Sequence, residues 1–366
     1  MFGAAIRRLR APHLCGVFIK EIKMSKTTTL TFYNNKGGVS KTTTLFNLGV
    51  YLSKAGNKVL FIDADSQCNL TELFFANDTE YFDDPSKKLP GNSILEVFRP
   101  RLDGAAARID VKSICAAESN IYKNLHLIRG DIEFSAQAEP YFGTSINQAI
   151  TTNINEKNTY ISFRRLVKDL GSQLKLDYIL IDLGPSTGAI TRLAFLASDK
   201  FIIPVTPDRF CYLGISTLPK LIEDWIRHDK VILSTLEPYG IESNYSTPEF
   251  CGLINQNFQV HKSSIKESYQ KWSKKIKSEI RSKLMSSTLI RIKPKLSDPI
   301  ICSIENLGQL VPVSQMLGKA IFDLTQQDSA LASKSGIQFY GSVWEPWDRK
   351  IKSYSLEIQK IAKAVE

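Results

Sequence analysis

The chain has 366 residues, of which 43% are hydrophobic and 23% charged, and its formal net charge is +10. This composition supports a large buried core and excludes an intrinsically disordered protein. Six scattered cysteines without a CxxC pair and four unclustered histidines indicate neither a zinc site nor a disulfide framework. No apolar run approaches the roughly 18–20 residues of a membrane helix, so we expect a soluble, cytoplasmic protein without a membrane span.

The positive charge is concentrated in two regions. Residues 1–23 carry +4 and residues 261–297 carry +9, so the rest of the chain sums to −3. The first 23 residues fit neither a strand nor a clean amphipathic helix, and they lack the apolar core and cleavage site of a secretory signal. Because Met24 leads directly into the first predicted strand, we expect 1–23 to be an N-terminal extension, disordered or not part of the working protein. An Arg-rich organelle presequence is the alternative.

Buried strands alternate with helical patterns along the chain. One helix is predicted over 41–54, closed by Gly56, and the stretch 76–121 is predicted to hold short helices and loops with little sheet. This alternation predicts an α/β fold, a doubly wound, mostly parallel sheet with helices on both faces, in one domain over 24–366. The predicted strands are short runs rich in apolar and β-branched residues, at 28–33, 59–62, 178–181, 201–205 and 251–254.

A glycine-rich loop follows the first predicted strand and opens a helix. A glycine pair lets backbone N–H groups turn inward around phosphate oxygens, and the helix N-terminus adds partial positive charge. Lys41 can neutralise the β- and γ-phosphates, and the Thr42 hydroxyl can ligate Mg²⁺. The ordinary pattern G-x-x-x-x-G-K-[ST] is not met, because Asn35 and Ser40 occupy its glycine positions. The structural alternative is a Gly-Gly turn that happens to be flanked by lysines.

The string KGGVSKTTT closely resembles the deviant Walker A motif, K-G-G-x-G-K-[ST], of the ParA, MinD and nitrogenase iron-protein class of P-loop ATPases. The resemblance implies a homodimer around ATP, in which Lys36 reaches across to the partner's nucleotide, and it makes Lys36 and Lys41 catalytic. Ser40 departs from the motif: if the family glycine has positive φ, serine costs on the order of 1 kcal/mol or more, whereas a serine in helical geometry costs little. We expect nucleotide binding to survive this change, and the hydrolysis rate is the property that it puts in doubt. The implied ATP-binding residues are Lys36, Gly37, Gly38, Val39, Ser40, Lys41, Thr42 and Thr43.

Carboxylates follow two further strands. The string FIDADSQCNLT resembles the ParA-type segment IDxDPQGN-T, with Ser66 for proline and Cys68 for glycine. By resemblance, Asp65 is the catalytic residue that positions the attacking water, and Asp63 supports it. The alternative is a pair of helix N-cap aspartates. Asp182 ends a third strand, and this strand with the residues after it is similar to the switch segment of the family. The resemblance implies that Gly184 and Pro185 sense the γ-phosphate. The predicted Mg²⁺ site is Thr42, Asp63 and Asp182.

The resemblance spans about 30–75, 124–225 and 250–325. It places Asn255, at the end of a strand, against the adenine and Pro312 beside the base. Within the last span, residues 258–300 form an insertion that short members of the class do not cover.

The insertion contains a basic amphipathic pattern. From Ser263 to Met285, apolar residues recur at helical spacing and predict one stripe along a helix: Ile265, Tyr269, Trp272, Ile276, Ile280 and Leu284. The charges lie opposite the stripe or on its flanks and can neutralise DNA phosphates without reading bases. The alternative is a lysine-rich solvated face. The predicted DNA-binding residues are Lys271, Lys274, Lys275, Lys277 and Arg281.

The last predicted helix, near 350–365, has an apolar face of isoleucine and valine and several lysines. Related MinD-like proteins use such a tail for membranes, but large apolar anchors are sparse here, so we expect this helix to pack on the domain.

The resemblance to the ParA class, together with the basic helix, implies an ATPase switch that depends on Mg²⁺ and ATP, dimerises, and binds nonspecific DNA in its ATP state. The expected role is plasmid or chromosome partition or a related mobile-element role, with slow hydrolysis stimulated by a ParB-like partner. DNA binding would make the protein nucleoid-associated. Two alternatives stay open: a MinD-like switch acting on a protein or membrane partner, and a scaffold that binds the nucleotide without hydrolysing it.

Overall fold

The computed structural model describes residues 26–78, 88–258, 260–261, 264–265 and 267–366, with the backbone alone at 260–261 and 264–265. The prediction for residues 1–23 and the side chain of Ile265 lie outside this description.

A nine-stranded sheet forms the centre of the molecule. Its strands are β1 (Thr28–Phe32), β2 (Val59–Asp63), β3 (Ala117–Glu118), β4 (Leu125–Ile128), β5 (Tyr178–Asp182), β6 (Lys200–Val205), β7 (Glu249–Phe258), β10 (Arg291–Ile292) and β11 (Ile300–Glu305), and a separate hairpin is formed by β8 (Val260–His261) and β9 (Ser264–Ile265). The strand order is β10-β7-β6-β1-β5-β2-β4-β3, and β11 pairs with β7 as well. Every pairing in this sheet is parallel except that of β3 with β4.

Alternate residues of each central strand enter two different cores. In β2, Leu60 and Ile62 belong to one hydrophobic cluster, whereas Val59 and Phe61 belong to the other. A strand that is covered on both faces needs apolar side chains at every position, which explains the continuous apolar runs in the sequence. The two clusters confirm the prediction of a mostly parallel sheet with helices on both faces.

The helices divide between these two cores. They are α1 (Lys41–Lys54), α2 (Asn69–Phe75), α3 (Ile94–Leu102), α4 (Ile132–Gln148), α5 (Ile154–Tyr160), α6 (Ser162–Leu174), α7 (Ala189–Leu196), α8 (Arg209–Ser234), α9 (Glu267–Glu279), which continues as a π-helical turn (Ile280–Leu284), α10 (Leu310–Leu317) and α11 (Gly341–Val365). Helices α4, α6, α7 and α8 contribute to the first cluster, and α1, α2, α10 and α11 contribute to the second.

Several elements agree closely with the sequence predictions. Helix α1 has the predicted bounds, and the five predicted strands are all present. The stripe on α9 is half-buried at Tyr269 and Trp272 and fully buried at Ile276 and farther along the helix. The predicted packing of the last helix is confirmed, because Ile358 and Ile361 of α11 are completely buried.

The sequence analysis did not identify β3, β4, β8, β9, β10 or β11. In β4, His126 interrupts the apolar run, and only pairing with the neighbouring strand β2 defines the element. Within the described residues, no helix is both long enough and apolar enough to cross a bilayer.

Candidate nucleotide site

The predicted phosphate loop lies at the carboxyl edge of the sheet, between β1 and α1. A cavity of about 850 Å³ opens beside it. The loop residues from Gly37 to Thr43 form one wall, and Asp65 and Pro185 come from the segments that follow β2 and β5. Ligands of open α/β sheets bind at this edge, where the loops after parallel strands converge. The structure therefore brings the loop, Asp65 and the Gly184-Pro185 segment together around one space.

The loop has the backbone geometry that an anion cradle requires. Gly38 has φ 69°, a left-handed conformation that glycine adopts without steric cost. Lys41 is buried, and its Nζ donates to the carbonyl oxygens of Asn34, at 3.1 Å, and Lys36, at 3.2 Å. Burial lowers the pKa of Lys41, while the nearby Asp182 and Asp65 oppose this shift. The Lys41 ammonium is thus held over the loop, where an anion would meet both it and the backbone N–H groups.

Thr42 and Asp182 form the oxygen-rich corner of the site. Thr42 Oγ1 donates to Asp182 Oδ2 at 2.7 Å. Asp182 Oδ1 is buried and has no hydrogen-bond partner among the described residues. Burial raises the pKa of Asp182, and the adjacent Asp63 raises it further. A hydroxyl and a carboxylate with an unsatisfied buried oxygen are the hard ligands that suit Mg²⁺, so these two residues fit the implied metal.

Asp63 has a different environment. Its Oδ2 accepts hydrogen bonds from the backbone nitrogen of Thr71, at 2.9 Å, and from the Thr71 hydroxyl, at 2.7 Å. Its Oδ1 accepts from the backbone nitrogen of Asp65 at 3.3 Å, and burial raises its pKa. These bonds brace the segment that carries Asp65. The role of Asp63 as a metal ligand stays a prediction.

Asp65 lies against Gly184 of the predicted switch segment. A Cβ atom added at Gly184 would lie 2.9 Å from Asp65 Oδ1, so a side chain there would force the carboxylate to move. Asp65 also accepts a hydrogen bond from the backbone nitrogen of Gln67 at 3.0 Å. The segments after β2 and β5 are therefore in direct contact at the position predicted for the water-positioning carboxylate.

Lys36 makes an ion pair within the chain. Its Nζ lies 2.6 Å from Asp208 Oδ2, and Asp208 also caps α8 by accepting from the backbone nitrogen of Cys211 at 2.7 Å. The sequence analysis assigned no role to Asp208. The sequence did contain a signal for a structural role, because Asp208 directly precedes a helix and aspartate is a preferred N-cap residue.

Asn255 and Pro312 do not line this cavity. The prediction that Asn255 ends its strand was wrong, because pairing with β11 continues β7 to Phe258. Asn255 is 3% exposed, whereas Pro312 is exposed on the first turn of α10. The adenine contacts of Asn255 and Pro312 therefore stay predictions.

The rest of the cavity wall comes from residues to which the sequence analysis assigned no role. They belong to the segment between β2 and α2, to α2, to the residue that follows it, and to the last turn of α10. Gln315 and Met316 could have been inferred from the sequence, because they lie one turn after Pro312, a predicted site residue, on the same helix. The residues are Gln67, Asn69, Glu72, Leu73, Ala76, Gln315 and Met316.

The predicted DNA-binding residues all lie on α9 and the turn that follows it, and the structure divides them into two groups. Lys271, Lys274 and Lys275 are exposed, and Lys275 Nζ lies 4.8 Å from the centre of the Trp272 ring. The other two are engaged within the chain: Lys277 pairs with Asp298, and Arg281 donates to the carbonyl oxygen of Ser297 at 2.8 Å.

A second cavity, of about 600 Å³, lies at the opposite edge of the sheet. Its lining includes Thr29 in β1 and Asp177 and Asp199, which precede β5 and β6. None of the predicted site residues lines it. Because parallel sheets bind ligands at their carboxyl edge, the cavity beside the phosphate loop is the candidate site.

A strand, a glycine-rich loop that opens a helix, and a buried carboxylate at the end of the neighbouring strand together define a P-loop nucleotide-binding fold. The chain matches the family described as an AAA domain over residues 27–235, more than half of its length. It belongs to this family, and within it to the ParA-like P-loop ATPases.

Known proteins agree with this assignment. The chain is 27% identical to the chromosome-partitioning ATPase Soj of Treponema pallidum over 53% of its own length and 63% of that protein. It is 30% identical to the sporulation initiation inhibitor protein Soj of Bacillus subtilis over 56% of its own length and 69% of that protein. The structure of a Cyanothece McdA variant in complex with ATP covers 92% of this chain and 97% of its own, with a TM-score of 0.57 and 18% identity, and it supports the fold.

Proposed function

We propose that the protein is an ATPase switch that uses Mg²⁺ and ATP, dimerises around the nucleotide, and binds nonspecific DNA in that state. The observation that carries this proposal is the convergence of Lys41, Thr42 and Asp182 at one site, with Asp182 Oδ1 buried and unpaired among the described residues. We further propose a role in plasmid or chromosome partition or in a related mobile-element process.

The loop residues bind and orient the nucleotide. Backbone N–H groups from Gly37 to Thr43 and the amino end of α1 favour phosphate, and Lys41 adds a full positive charge. Thr42 and Asp182 would hold Mg²⁺, which supplies charge neutralisation at the β- and γ-phosphates when it is bound.

Asp65 is suited to position a water molecule for attack. It is 9% exposed, so its carboxylate reaches the cavity while the surrounding protein limits its movement. The hydrogen bond from the Gln67 backbone and the contact with Gly184 fix its orientation. A carboxylate held in this way can orient water and lower the barrier to hydrolysis.

The surface beside Lys36 supports a homodimer. Phe210 and Leu213, in the first turns of α8, are 75% and 53% exposed. They follow Asp208, the ion-pair partner of Lys36, within five residues of the chain. Exposed aromatic and aliphatic side chains beside a charged pair are typical of protein interfaces. In a two-fold dimer this patch would meet its own copy, and Lys36 could leave Asp208 for the partner's nucleotide.

The basic face of α9 supports DNA binding. Its exposed lysines lie on a helix that is anchored by Ile276 and Ile280, so their charges are held toward solvent. Such charges neutralise phosphates without reading sequence. The packing of α11 against the sheet does not favour a membrane tail, because its apolar face is already covered. The Treponema relative, described as a chromosome-partitioning ATPase, supports the proposed process, and a ParB-like stimulating partner is part of the proposal.

Phosphate release and DNA retention test this function together. We expect purified protein to release phosphate from ATP slowly and to retain random-sequence duplex with ATP but not with ADP or without nucleotide. Lys41→Ala removes the charge held over the loop, so it should abolish tight ATP binding measured by calorimetry while the fold stays intact. Unchanged ATP affinity in a folded Lys41→Ala variant would remove this loop from the nucleotide site.

A further inference from the structure

We propose that Glu139, in α4, positions the segment between β5 and α7, residues 183–188, for ATP hydrolysis. This segment contains Gly184 and Pro185 of the predicted switch. Glu139 holds the amino end of α7, so it acts through Gly184 on the Asp65 carboxylate and has no direct role toward the nucleotide. The inference rests on the proposed ATPase function and makes Glu139 a positioning residue.

The carboxylate of Glu139 caps α7 from a distant part of the chain. Its Oε1 accepts a hydrogen bond from the backbone nitrogen of Ala189, and its Oε2 accepts one from the backbone nitrogen of Ile190 at 3.1 Å. The first N–H groups of a helix lack acceptors within the helix, and a side chain just before the helix commonly supplies one. The residue at that position is Gly188, which has no side chain. Glu139 therefore supplies the acceptors and the negative charge that favour a helix start.

The close approach of Glu139 explains the glycine at position 188. Gly188 has φ −72° and ψ −178°, a backbone conformation that any residue adopts. A Cβ atom added there would lie 2.8 Å from Glu139 Cδ, well inside the contact distance of two carbon atoms. A side chain at this position would therefore push the carboxylate away from the helix. The glycine leaves the space that the cap needs.

The 183–188 segment is also held at two points nearer the cavity. A Cβ atom added at Gly184 would lie 2.9 Å from Asp65 Oδ1, so these two residues are in contact. The hydroxyl of Tyr33, which directly follows β1, donates to the carbonyl oxygen of Ser186 at 3.3 Å. Because the segment joins the end of β5 to the start of α7, release of that helix end should let Gly184 shift relative to Asp65.

Loss of the Glu139 carboxylate should slow hydrolysis more than it weakens ATP binding. Lys41 and Thr42 are held by their own hydrogen bonds, to the loop carbonyl oxygens and to Asp182, and these bonds do not involve Glu139. The attacking water has to be placed accurately, and a shift of about 1 Å in a reacting group can lower a rate by about 100-fold. We therefore expect a partial loss that falls on kcat and leaves KM nearly unchanged.

Steady-state phosphate release by the full chain tests this expectation. Glu139→Gln keeps the size of the side chain but replaces one of the two accepting oxygens with an N–H₂ group. The value of kcat should fall by about tenfold, while KM for ATP should change by less than about twofold. Glu133→Gln, at an exposed position on the same helix, is the matched control and should leave both constants unchanged.

A rescue experiment tests the cap itself. Glu139→Ala should lower kcat at least as much as Glu139→Gln, and it also empties the space beside Gly188. Gly188→Ser in that background can cap α7 locally, so it should restore kcat to within about threefold of the wild type. In the wild-type background, the same Gly188→Ser change should lower kcat, because the new side chain displaces the Glu139 carboxylate.

Three results would overturn the inference. These are a wild-type kcat in folded Glu139→Gln protein, a rise in KM that accounts for the whole loss of kcat/KM, and a failure of Gly188→Ser to raise kcat in the Glu139→Ala background. The first would mean that the contact only stabilises the fold, and circular dichroism verifies folding in each variant. All three leave the proposed ATPase function standing. A wild-type chain that releases no phosphate from ATP would instead contradict the proposed function itself.

Discussion

Two residues at positions where the family motifs have glycine adopt a left-handed backbone. Ser40 has φ 57° and ψ 32°, and Cys68 has φ 53° and ψ 25°. Each is the residue directly before a helix, α1 and α2, respectively. A side chain in this region of backbone space carries a steric cost that glycine avoids. The fold therefore tolerates some strain at two positions beside the candidate site.

Ser40→Gly should relieve part of that strain. We expect the free energy of unfolding to rise by about 0.5–1 kcal/mol, because the steric cost exceeds the greater chain entropy of glycine in the unfolded state. Urea unfolding measures the difference. Ser53→Gly, in the last turn of α1, is the control and should lower stability by about 1 kcal/mol. A loss of stability in Ser40→Gly would show that the left-handed serine is not strained.

At the scale of elements, α6 and α8 are joined by a buried ion pair. Arg164 makes two hydrogen bonds of 2.8 Å to Asp229, and the two side chains are 4% and 0% exposed. Tyr160 also donates to Asp229 at 2.8 Å. Because α8 begins beside Asp208, this pair helps to fix the helix that presents the partner of Lys36.

Asp229→Asn should therefore destabilise the protein strongly. It leaves the Arg164 charge buried without a full counter-charge, which typically costs about 3–5 kcal/mol. The same change at Asp224, which pairs with Arg227 on the exposed side of α8, should cost less than about 1 kcal/mol. Urea denaturation of the two variants gives the comparison. Equal losses of unfolding free energy in the two variants would mean that burial does not determine how much these ion pairs stabilise the protein.

The basic helix gives a second prediction at this scale. Replacing Lys271 and Lys274 with glutamate should weaken binding to random-sequence DNA more than replacing Lys277 and Arg281, because the second pair is already engaged with Asp298 and the Ser297 carbonyl. The salt dependence of DNA binding should change in the same order as the affinity, because the slope of log K against log[salt] is about −0.9 for each phosphate neutralised.

Fluorescence anisotropy with ATP at several salt concentrations measures both quantities. ATP affinity should be the same in all variants. If both double variants bind DNA like the wild type, α9 is only a solvated face.

For the whole molecule, the sequence predicted local structure better than long-range contacts. The runs that became β2 and β5 are buried on both faces, and a continuous apolar pattern indicates that directly. The loop from Lys36 to Thr43 has a distinctive composition, so it was also found. Periodicity identifies a buried face but does not say which partner covers it.

The contacts that were missed all join distant parts of the chain. The pairing of Lys36 with Asp208, of Arg164 with Asp229, and of Asn255 with Ser273 depends on how the strands are ordered in the sheet. No local pattern carries that order. The sequence therefore indicated the residue types of the candidate site more fully than the contacts between distant elements.

The most direct test of the central claim is the mass of the Asp65→Ala variant in solution with ATP and Mg²⁺, measured by light scattering. If Asp65 positions the attacking water as proposed, its removal should slow hydrolysis but keep ATP bound, so the ATP state should accumulate as a dimer. The double variant Asp65→Ala, Lys36→Ala should bind ATP and stay monomeric, because it lacks the lysine that we propose to reach the partner's nucleotide. A monomeric Asp65→Ala protein with ATP bound would contradict the proposed nucleotide-dependent dimer.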